Sequence, residues 1–200
     1  MKNTLTPHSS LLTFSLRGTM VQEVTEERLL KKIRKVKLLI LDVDGVLTDG
    51  RIVIDDAGLE SKQFDVKDGH GLKILMRFGI AVVLLTGRRS RVVEHRAADL
   101  GITEVHQGIL NKAEAFVEIL KRRDMIPEDV AFVGDDVVDI PLLRRAGFSV
   151  AVADAVPEAR EIADYVTQHG GGRGAVREVC EVILKAQNRW ADVAARYEFA

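Results

Sequence analysis

The chain has 200 residues, of which 46% are apolar and 30% are charged, and its formal net charge is −1. This length fits one globular domain, and the near balance of acids and bases excludes the basic composition typical of nucleic-acid-binding proteins. No apolar run approaches the roughly 18 to 20 residues that a bilayer-spanning helix needs, so we expect no membrane segment. The single cysteine, Cys180, excludes an internal disulfide and fits a reducing compartment, which predicts a cytoplasmic protein.

Residues 1–23 are predicted to be a disordered extension, and residues 24–200 to form one domain. The N-terminal stretch is a poor signal peptide, because its apolar segment LLTFSL is short and Arg17 follows where small residues should stand. Alternatively, the extension lies upstream of a chain that begins at Met20.

Helix and strand patterns alternate along the remaining sequence. In chain order the sequence predicts a helix over 24–35, a strand over 36–43, a hairpin over 50–64, a helix over 69–79, a strand over 80–87, a helix over 89–101, a helix over 111–124, a strand over 129–135, a helix over 139–147, a strand over 148–154, a helix over 157–163, a strand over 164–167 and a helix over 175–198. Apolar strands separated by helices indicate a parallel sheet that is covered on both faces. The predicted fold class is therefore α/β, a single doubly wound Rossmann-like sheet with a small β-hairpin insertion.

Acidic residues follow two of the predicted strands. Asp42 and Asp44 end the first strand, Asp135 and Asp136 end a later one, and Asp139 lies one helical turn further on. The carboxyl ends of parallel strands are where such sheets bind ligands, and residues two apart project to the same side. Like charges held so close need a cation, and oxygen ligands without histidine or cysteine favour Mg²⁺. Alternatively, these aspartates are helix caps and turn formers.

Four motifs in this order resemble those of the haloacid dehalogenase-like phosphatases. They are DVDGVLTDG from residue 42, LLTGR from residue 84, NK at residues 111–112 and GDDVVD from residue 134. The resemblance implies that Asp42 is the nucleophile that forms an aspartyl-phosphate, and that Asp44 is the general acid and then the general base.

The same resemblance implies the ligands of the metal and of the phosphate. Mg²⁺ is expected on Asp42, on the backbone carbonyl of Asp44 and on Asp135, and the phosphoryl oxygens on Thr86 and Lys112. Asp136 and Asp139 are expected in the outer metal shell or beside the lysine. Alternatively, Thr86 is an ordinary strand-end hydroxyl and Lys112 a solvated lysine in the first turn of a helix, where the helix dipole disfavours it.

A narrower resemblance covers residues 36–187. The segments LDVDGVLTDG, FDVKDGHGLK, TGRRS, GDDVVD and GGRGAVREVC are similar to the 3-deoxy-D-manno-octulosonate 8-phosphate phosphatase family. The gaps between the motifs hold only a hairpin and one helix, so we expect no cap domain. The resemblance implies a homotetramer in which a neighbouring subunit closes the site, and hydrolysis of an eight-carbon sugar-acid phosphate on the path to lipopolysaccharide.

An anion with phosphate at one end and carboxylate at the other calls for arginine side chains. The positions that the resemblance places at the substrate are Asp44, Asp65, Val66, Lys67, Asp68, Gly69, Lys73, Arg88, Arg96, Lys112, Asp139, Arg173 and Arg177. Lys73 stands where the family often has arginine. Alternatively, Arg88 and Arg96 lie on a solvated helix face. The glycines before Arg173 either form a flexible loop or let that arginine reach a neighbouring subunit's cleft, and we favour the reach.

Two other functions stay open at this point. One is a phosphatase of the same capless group that acts on a nine-carbon sugar-acid phosphate. The other is a non-catalytic oligomerisation module related to the domain appended to sialic-acid cytidylyltransferases.

Overall fold

The computed structural model describes residues 20–199, with side chains from residue 26 onward. Residues 1–19 of the predicted extension lie outside the described residues, and their disorder stays a prediction, whereas residues 20–23 are helical. Within the described part, the helices are α1 (Met20–Arg34), α2 (Val66–Arg77), α3 (Arg91–Leu100), α4 (Lys112–Arg123), α5 (Ile140–Leu143), α6 (Pro157–Ile162), α7 (Ala175–Ala186) and α8 (Trp190–Arg196).

One parallel sheet forms the centre of the fold. Its strands are β1 (Leu38–Leu41), β4 (Ala81–Thr86), β5 (Glu104–Gln107), β6 (Val130–Gly134), β7 (Phe148–Ala151) and β8 (Tyr165–Val166), in the order β5-β4-β1-β6-β7-β8. The short strands β2 (Val53–Ile54) and β3 (Glu60–Ser61) pair antiparallel as a separate hairpin. The predicted doubly wound sheet with a hairpin insertion is confirmed, and no separate cap domain lies within residues 20–199.

The first strand occupies the middle of the sheet because every side chain in it is apolar. Leu38, Leu39, Ile40 and Leu41 are all fully buried, with β4 on one side and β6 on the other. The chain order reverses on either side of β1, and this is the point at which open α/β sheets form a cleft. The sequence pattern of this strand therefore determines where the cleft opens.

Three elements differ from the sequence prediction. The edge strand β5 was not predicted, because its residues are half-buried and three of the four are polar, which hides the strand pattern. The predicted helix over 139–147 is a single 3₁₀ turn (Val137–Asp139) followed by the short α5. The predicted helix over 175–198 breaks into α7 and α8 near Asn188, whose φ of 57° is incompatible with a continuous helix.

Helices α2 and α7 pack closely on one face of the sheet. A Cβ atom at Gly71 would lie 3.1 Å from the Cα of Arg177, so glycine permits the approach of the two helices. Cys180 is buried in α7, as expected of a lone thiol. None of the helices between residues 20 and 199 combines the length and the apolar character that crossing a membrane requires.

Candidate active site

The candidate site lies at the carboxyl edge of the sheet, where β1 and β6 end. Asp42 follows β1, and its backbone N–H donates to the carbonyl of Val133 in β6 (3.1 Å), which extends the pairing of the two strands. Asp135 follows β6 directly. Gly45 has a φ of 88°, and a Cβ there would lie 2.0 Å from the Oδ2 of Asp135. Glycine after Asp44 is therefore what lets the two strand ends approach each other.

Asp42, Lys112, Asp135 and Asp139 form what we call the deep cluster. The Nζ of Lys112 lies 2.9 Å from the Oδ2 of Asp42 and 2.6 Å from the Oδ1 of Asp139. The Oδ2 of Asp139 accepts hydrogen bonds from the backbone N–H groups of Asp135 (3.0 Å) and Asp136 (3.4 Å). The lysine and its two carboxylates are buried, so they depend on each other rather than on water.

Burial and mutual repulsion raise the pKa values of Asp42 and Asp135 in the deep cluster. Burial, then Asp42 and Asp139, raise the pKa of Asp135 to about 8, and burial, opposed by Lys112, raises the pKa of Asp42 to about 6. Burial lowers the pKa of Lys112, but Asp42 and Asp139 outweigh it, so the net shift is upward. One ammonium group therefore does not balance three carboxylates at this site.

The deep cluster fits a hard divalent cation. Asp42, Asp135 and Asp139 each offer a carboxylate oxygen, and these oxygens lie within 4.8 Å of one another. The oxygens of Asp139 already accept from Lys112 and from backbone N–H groups, which favours an outer position for this residue. Oxygen donors are the ligands that Mg²⁺ prefers, and the added positive charge would stabilise the ionised form of Asp135.

An open cavity of about 290 Å³ lies above the deep cluster. The residues in its wall that the sequence predicted are Asp42, Asp44, Thr86, Arg88, Lys112, Asp135 and Asp136, and those that it did not predict are Gly87, Ile109, Leu110 and Val138. The buried Thr86 ends β4, next to β1 in the sheet, which is why its hydroxyl reaches the same cavity. The predicted catalytic and metal residues are thus brought together by three adjacent strands and the start of α4.

Four further charges form what we call the rim cluster: Asp44, Glu60, Lys62 and Arg88. Lys62 makes an ion pair with the Oδ1 of Asp44 and lies 3.2 Å from the Oε1 of Glu60. Arg88 donates to the same glutamate oxygen (2.9 Å) and has its Nε 3.6 Å from the Oδ2 of Asp44. Sequence reasoning missed Glu60 and Lys62, since charged residues in a hairpin are usually solvated.

The two aspartates of the motif DVKDG accept hydrogen bonds from backbone N–H groups and lie outside the cavity wall. Asp65 is the N-cap of α2, where its carboxylate accepts from the N–H groups of Lys67 and Asp68. Asp68 is buried and accepts from the backbone N–H groups of Gly174 (3.3 Å) and Arg177 (2.7 Å), while burial raises its pKa. Both aspartates therefore have structural partners, and neither lines the cavity of the described chain.

The neighbours of that motif also lie outside the cavity wall. Val66, Lys67 and Lys73 are exposed along α2. Gly69 makes room for Arg96, because a Cβ at the glycine would lie 2.3 Å from a guanidinium nitrogen of that arginine. Arg96 is held by Asp99 (2.9 Å) and by the carbonyl of Asp65 (3.3 Å). None of these residues lines the cavity of its own chain, so their role in substrate binding stays a prediction.

The glycine-rich segment before α7 packs on the loop that carries Asp44. The N–H of Gly172 donates to the carbonyl of Val46 (2.9 Å), and a Cβ at Gly171 would lie 1.8 Å from the carbonyl oxygen of Gly45. The side chain of Arg173 is 65% exposed and lies 3.6 Å from Asp49.

Arg177, the other tail arginine, pairs with Glu181 (2.8 Å) one turn further along α7. Neither tail arginine lines the cavity of its own chain, so their predicted contact with substrate requires another subunit.

Comparisons with known proteins also point to a phosphatase. A family profile described as haloacid dehalogenase-like hydrolase matches residues 99–178. The 3-deoxy-D-manno-octulosonate 8-phosphate phosphatase of Escherichia coli strain K12 is 50% identical over 158 residues, which are 79% of this chain and 84% of the relative. The phosphatase of the same description from Yersinia pestis is 47% identical over 160 residues, or 80% of this chain and 86% of the relative.

Solved structures resemble this chain over most of its length. The 3-deoxy-D-manno-octulosonate 8-phosphate phosphatase of Moraxella catarrhalis, in complex with magnesium ion, phosphate ion and KDO, superposes with a TM-score of 0.84 at 41% identity and covers 86% of this chain and 98% of its own. A putative HAD superfamily hydrolase from Legionella pneumophila has a TM-score of 0.85 at 43% identity and covers 90% of this chain and all of its own.

Proposed function

Because the chain belongs to the 3-deoxy-D-manno-octulosonate 8-phosphate phosphatase family and is a phosphoric monoester hydrolase, we propose that it hydrolyses 3-deoxy-D-manno-octulosonate 8-phosphate to the free sugar acid and phosphate. The observation that carries the proposal is the deep cluster, in which three carboxylates and one lysine converge below an open cavity. Such a site attracts a divalent cation and, with it, a phosphate group.

The first half of the proposed reaction transfers the phosphoryl group to the protein. A carboxylate oxygen of Asp42 attacks phosphorus as the bond from phosphorus to the sugar oxygen breaks, and Asp44 gives its proton to that oxygen. The backbone N–H of Val43 donates to the Oδ1 of Asp42 (2.7 Å), and Lys112 contacts Oδ2, so the attacking group is held from both sides. We propose that Lys112 and the hydroxyl of Thr86 contact the phosphoryl oxygens, since both residues line the cavity.

The second half of the reaction regenerates the enzyme. Asp44 takes a proton from a water molecule, whose oxygen attacks phosphorus as the bond between phosphorus and Asp42 breaks. Free phosphate and the carboxylate of Asp42 are the products. This reuse of one residue as acid and then base needs a side chain at the cavity wall that is not locked in the deep cluster, and Asp44 meets that condition.

Mg²⁺ is the cofactor of this chain, as the oxygen donors of the deep cluster indicate. We propose that Asp42, Asp135 and the backbone carbonyl of Asp44 hold it, and that Asp136 and Asp139 belong to the outer shell. When bound, the ion reduces the repulsion between the carboxylates and an anionic phosphate.

We further propose that the working unit is a homotetramer in which a neighbouring subunit completes the site. The cavity is open, and Ile52, Val53 and Ile54 at and before β2 expose apolar side chains, which favours burial against another chain. Arg173 is exposed and free of the cavity of its own subunit, so it can serve a neighbour. The proposed reaction would take place in the cytoplasm, on the path to lipopolysaccharide.

A phosphate-release screen tests the function. Eight-carbon and nine-carbon sugar-acid phosphates are compared with Mg²⁺ and with EDTA, using wild type, Asp42→Asn and, as a matched control, Asp124→Asn at an exposed position with φ 50°. We expect the highest kcat/KM on the eight-carbon substrate, no release without Mg²⁺, and about 10⁴-fold loss or more for Asp42→Asn, since removing a nucleophile is costly.

Each alternative has its own signature in that screen. A higher kcat/KM on the nine-carbon phosphate would replace the proposed substrate, and absence of Mg²⁺-dependent release from any sugar phosphate would favour the non-catalytic module.

The contribution of the neighbouring subunit has a separate test. Arg173→Ala is expected to lower turnover of the sugar phosphate while the oligomeric mass and Mg²⁺ affinity stay as in wild type, because the side chain is exposed in its own chain. Unchanged kinetics would contradict the proposed role of Arg173.

A further inference from the structure

The hairpin of β2 and β3 brings a lysine with a buried side chain to the rim cluster. Lys62 follows β3 directly, and its side chain is only 1% exposed, although the hairpin itself lies at the surface. A lysine in a surface hairpin normally extends its ammonium group into water. Here the ammonium group instead lies between the carboxylates of Asp44 and Glu60.

The two carboxylate oxygens of Asp44 are treated differently. Lys62 donates to Oδ1, whereas the Nε of Arg88 lies 3.6 Å from Oδ2, beyond hydrogen-bond distance. An ammonium group has only donors, so an oxygen that accepts from it cannot at the same time offer a proton along that direction. Oδ2 keeps its ion-pair contact with Arg88 but accepts no hydrogen bond from the described residues, so it is the oxygen of Asp44 that can exchange a proton in the cavity.

Glu60 fixes the two cations of the rim cluster relative to each other. Its Oε1 accepts from Arg88 at 2.9 Å and lies 3.2 Å from the Nζ of Lys62. Because Glu60 and Lys62 belong to the same short segment of the hairpin, the position of that segment determines where the ammonium group stands. The hairpin, which carries none of the predicted catalytic residues, is thereby tied to the proposed general acid.

We propose that Lys62, held by Glu60, is a positioning residue that orients the carboxyl group of Asp44 so that Oδ2 protonates the leaving oxygen. The inference rests on the proposed phosphatase function, in which Asp44 is the general acid. It assigns no contact between Lys62 and the substrate.

The chemistry of the leaving group separates this role from a purely structural one. A poor leaving group needs its proton as the bond to phosphorus breaks, whereas a good one departs without help. Misplacing the acid therefore slows hydrolysis of phenyl phosphate much more than that of 4-nitrophenyl phosphate. Loss of folded protein, by contrast, lowers the rates on both esters equally.

The experiment measures kcat/KM for phenyl phosphate and for 4-nitrophenyl phosphate in Mg²⁺, and compares their ratio among variants. Lys62→Met keeps the length of the side chain, Asp44→Asn removes the acid itself, and Gln63→Met is the matched control at the exposed neighbouring position. We expect the ratio of kcat/KM for phenyl phosphate to that for 4-nitrophenyl phosphate to fall about tenfold for Lys62→Met. For Asp44→Asn, which removes the acid, we expect a fall of roughly 10²-fold or more. Gln63→Met should keep the wild-type ratio.

The ratio is independent of how much of each preparation is folded, so a poorly folding variant still tests the inference. Glu60→Gln, which keeps the volume and removes the charge, is a second variant in which we expect a smaller fall of the ratio. An unchanged ratio in both Lys62→Met and Glu60→Gln would overturn the inference and leave the phosphatase function standing. Absence of Mg²⁺-dependent hydrolysis of both esters by wild type would overturn the two together.

Discussion

The deep cluster and the rim cluster lie side by side at one cavity, yet they solve the problem of buried charge in opposite ways. The deep cluster has three carboxylates and a single ammonium group, whereas the rim cluster has two carboxylates, one ammonium group and one guanidinium group. The first is left with excess negative charge, and the second is balanced without any ligand. The excess suits the deep cluster to a divalent cation, and the balance lets the rim cluster hold a side chain in place.

Access to water differs between the clusters as well. The side chains of Asp42 and Asp139 are 9% and 0% exposed, whereas those of Asp44 and Glu60 are 20% and 17% exposed. A carboxylate of Asp42 or Asp139 that loses its cation cannot be hydrated by solvent instead, whereas one in the rim cluster can. Equivalent substitutions in the two clusters should therefore have unequal costs.

The largest expected effect on stability follows from Lys112→Met. Removal of the one cation leaves the buried carboxylates of Asp42 and Asp139 without a positive charge beside them, and breaking a buried ion pair in this way costs about 3–5 kcal/mol. The free energy of unfolding, measured by urea titration without metal, is the quantity to compare. Lys121→Met, at an exposed lysine of the same helix, is the control and should lie within about 0.5 kcal/mol of wild type.

If Lys112→Met cost no more than that control, the cluster would tolerate its excess charge without the lysine, and the contrast between the two clusters would be lost.

The second expected effect is a dependence of stability on pH in the metal-free protein. The pKa of Asp135 rises from 3.8 to about 8, and that of Asp42 from 3.8 to about 6, both chiefly through burial. An acid with a raised pKa binds its proton more tightly when folded, so its contribution to stability is fully present below pH 3.8 and is lost as the pH rises. We expect the free energy of unfolding to fall by roughly 3 kcal/mol as the pH rises from about 6 to about 8.

Saturating Mg²⁺ provides the control for this measurement, because a bound cation stabilises the ionised carboxylates and should remove most of the decline. A decline of equal size with and without Mg²⁺ would place its origin outside the deep cluster.

Sequence reasoning succeeded where the position of a residue follows from strand periodicity. The buried run before Asp42 fixes the strand, and strand ends of a parallel sheet meet at one edge, so the sequence pattern alone places Asp135 and Thr86 beside it. The deep cluster was predictable in this sense.

The rim cluster was not predictable, because it depends on where a hairpin folds back. Glu60 and Lys62 carry no periodic signal, and their burial follows only from the path of the chain after β3. Asp68 makes a further contact that the local sequence does not reveal. Its buried carboxylate accepts from the N-terminus of α7, more than a hundred residues away, while its role at the substrate stays a prediction. Contacts between distant segments leave no trace in local pattern.

Asp135→Asn should change the stability of the metal-free protein in the opposite direction from Lys112→Met. The substitution removes a half-buried carboxylate from a group of like charges, so at neutral pH we expect the metal-free protein to be more stable by about 2 kcal/mol. Mg²⁺ should then stabilise the variant far less than wild type, since one ligand oxygen is gone. Thermal unfolding at equal protein concentration, with EDTA and with Mg²⁺, gives both quantities.

Lower stability of Asp135→Asn in EDTA would mean that repulsion from Asp42 and Asp139 does not destabilise the ionised carboxylate of Asp135 in the metal-free protein, and that the deep cluster carries no excess of negative charge.

The smallest expected effect on stability belongs to Lys62→Met, although the side chain of this lysine is as inaccessible as that of Lys112. Its partners Asp44 and Glu60 keep Arg88 beside them and can reach water, so no charge is stranded, and we expect a loss of only about 1 kcal/mol. Urea unfolding beside Lys112→Met, at one protein concentration, makes the comparison. A loss as large as that of Lys112→Met would show that burial of the lysine alone determines the cost. A small loss of stability, together with a lower ratio of kcat/KM for phenyl phosphate to that for 4-nitrophenyl phosphate, would instead show that Lys62 positions Asp44 and contributes little to the stability of the fold.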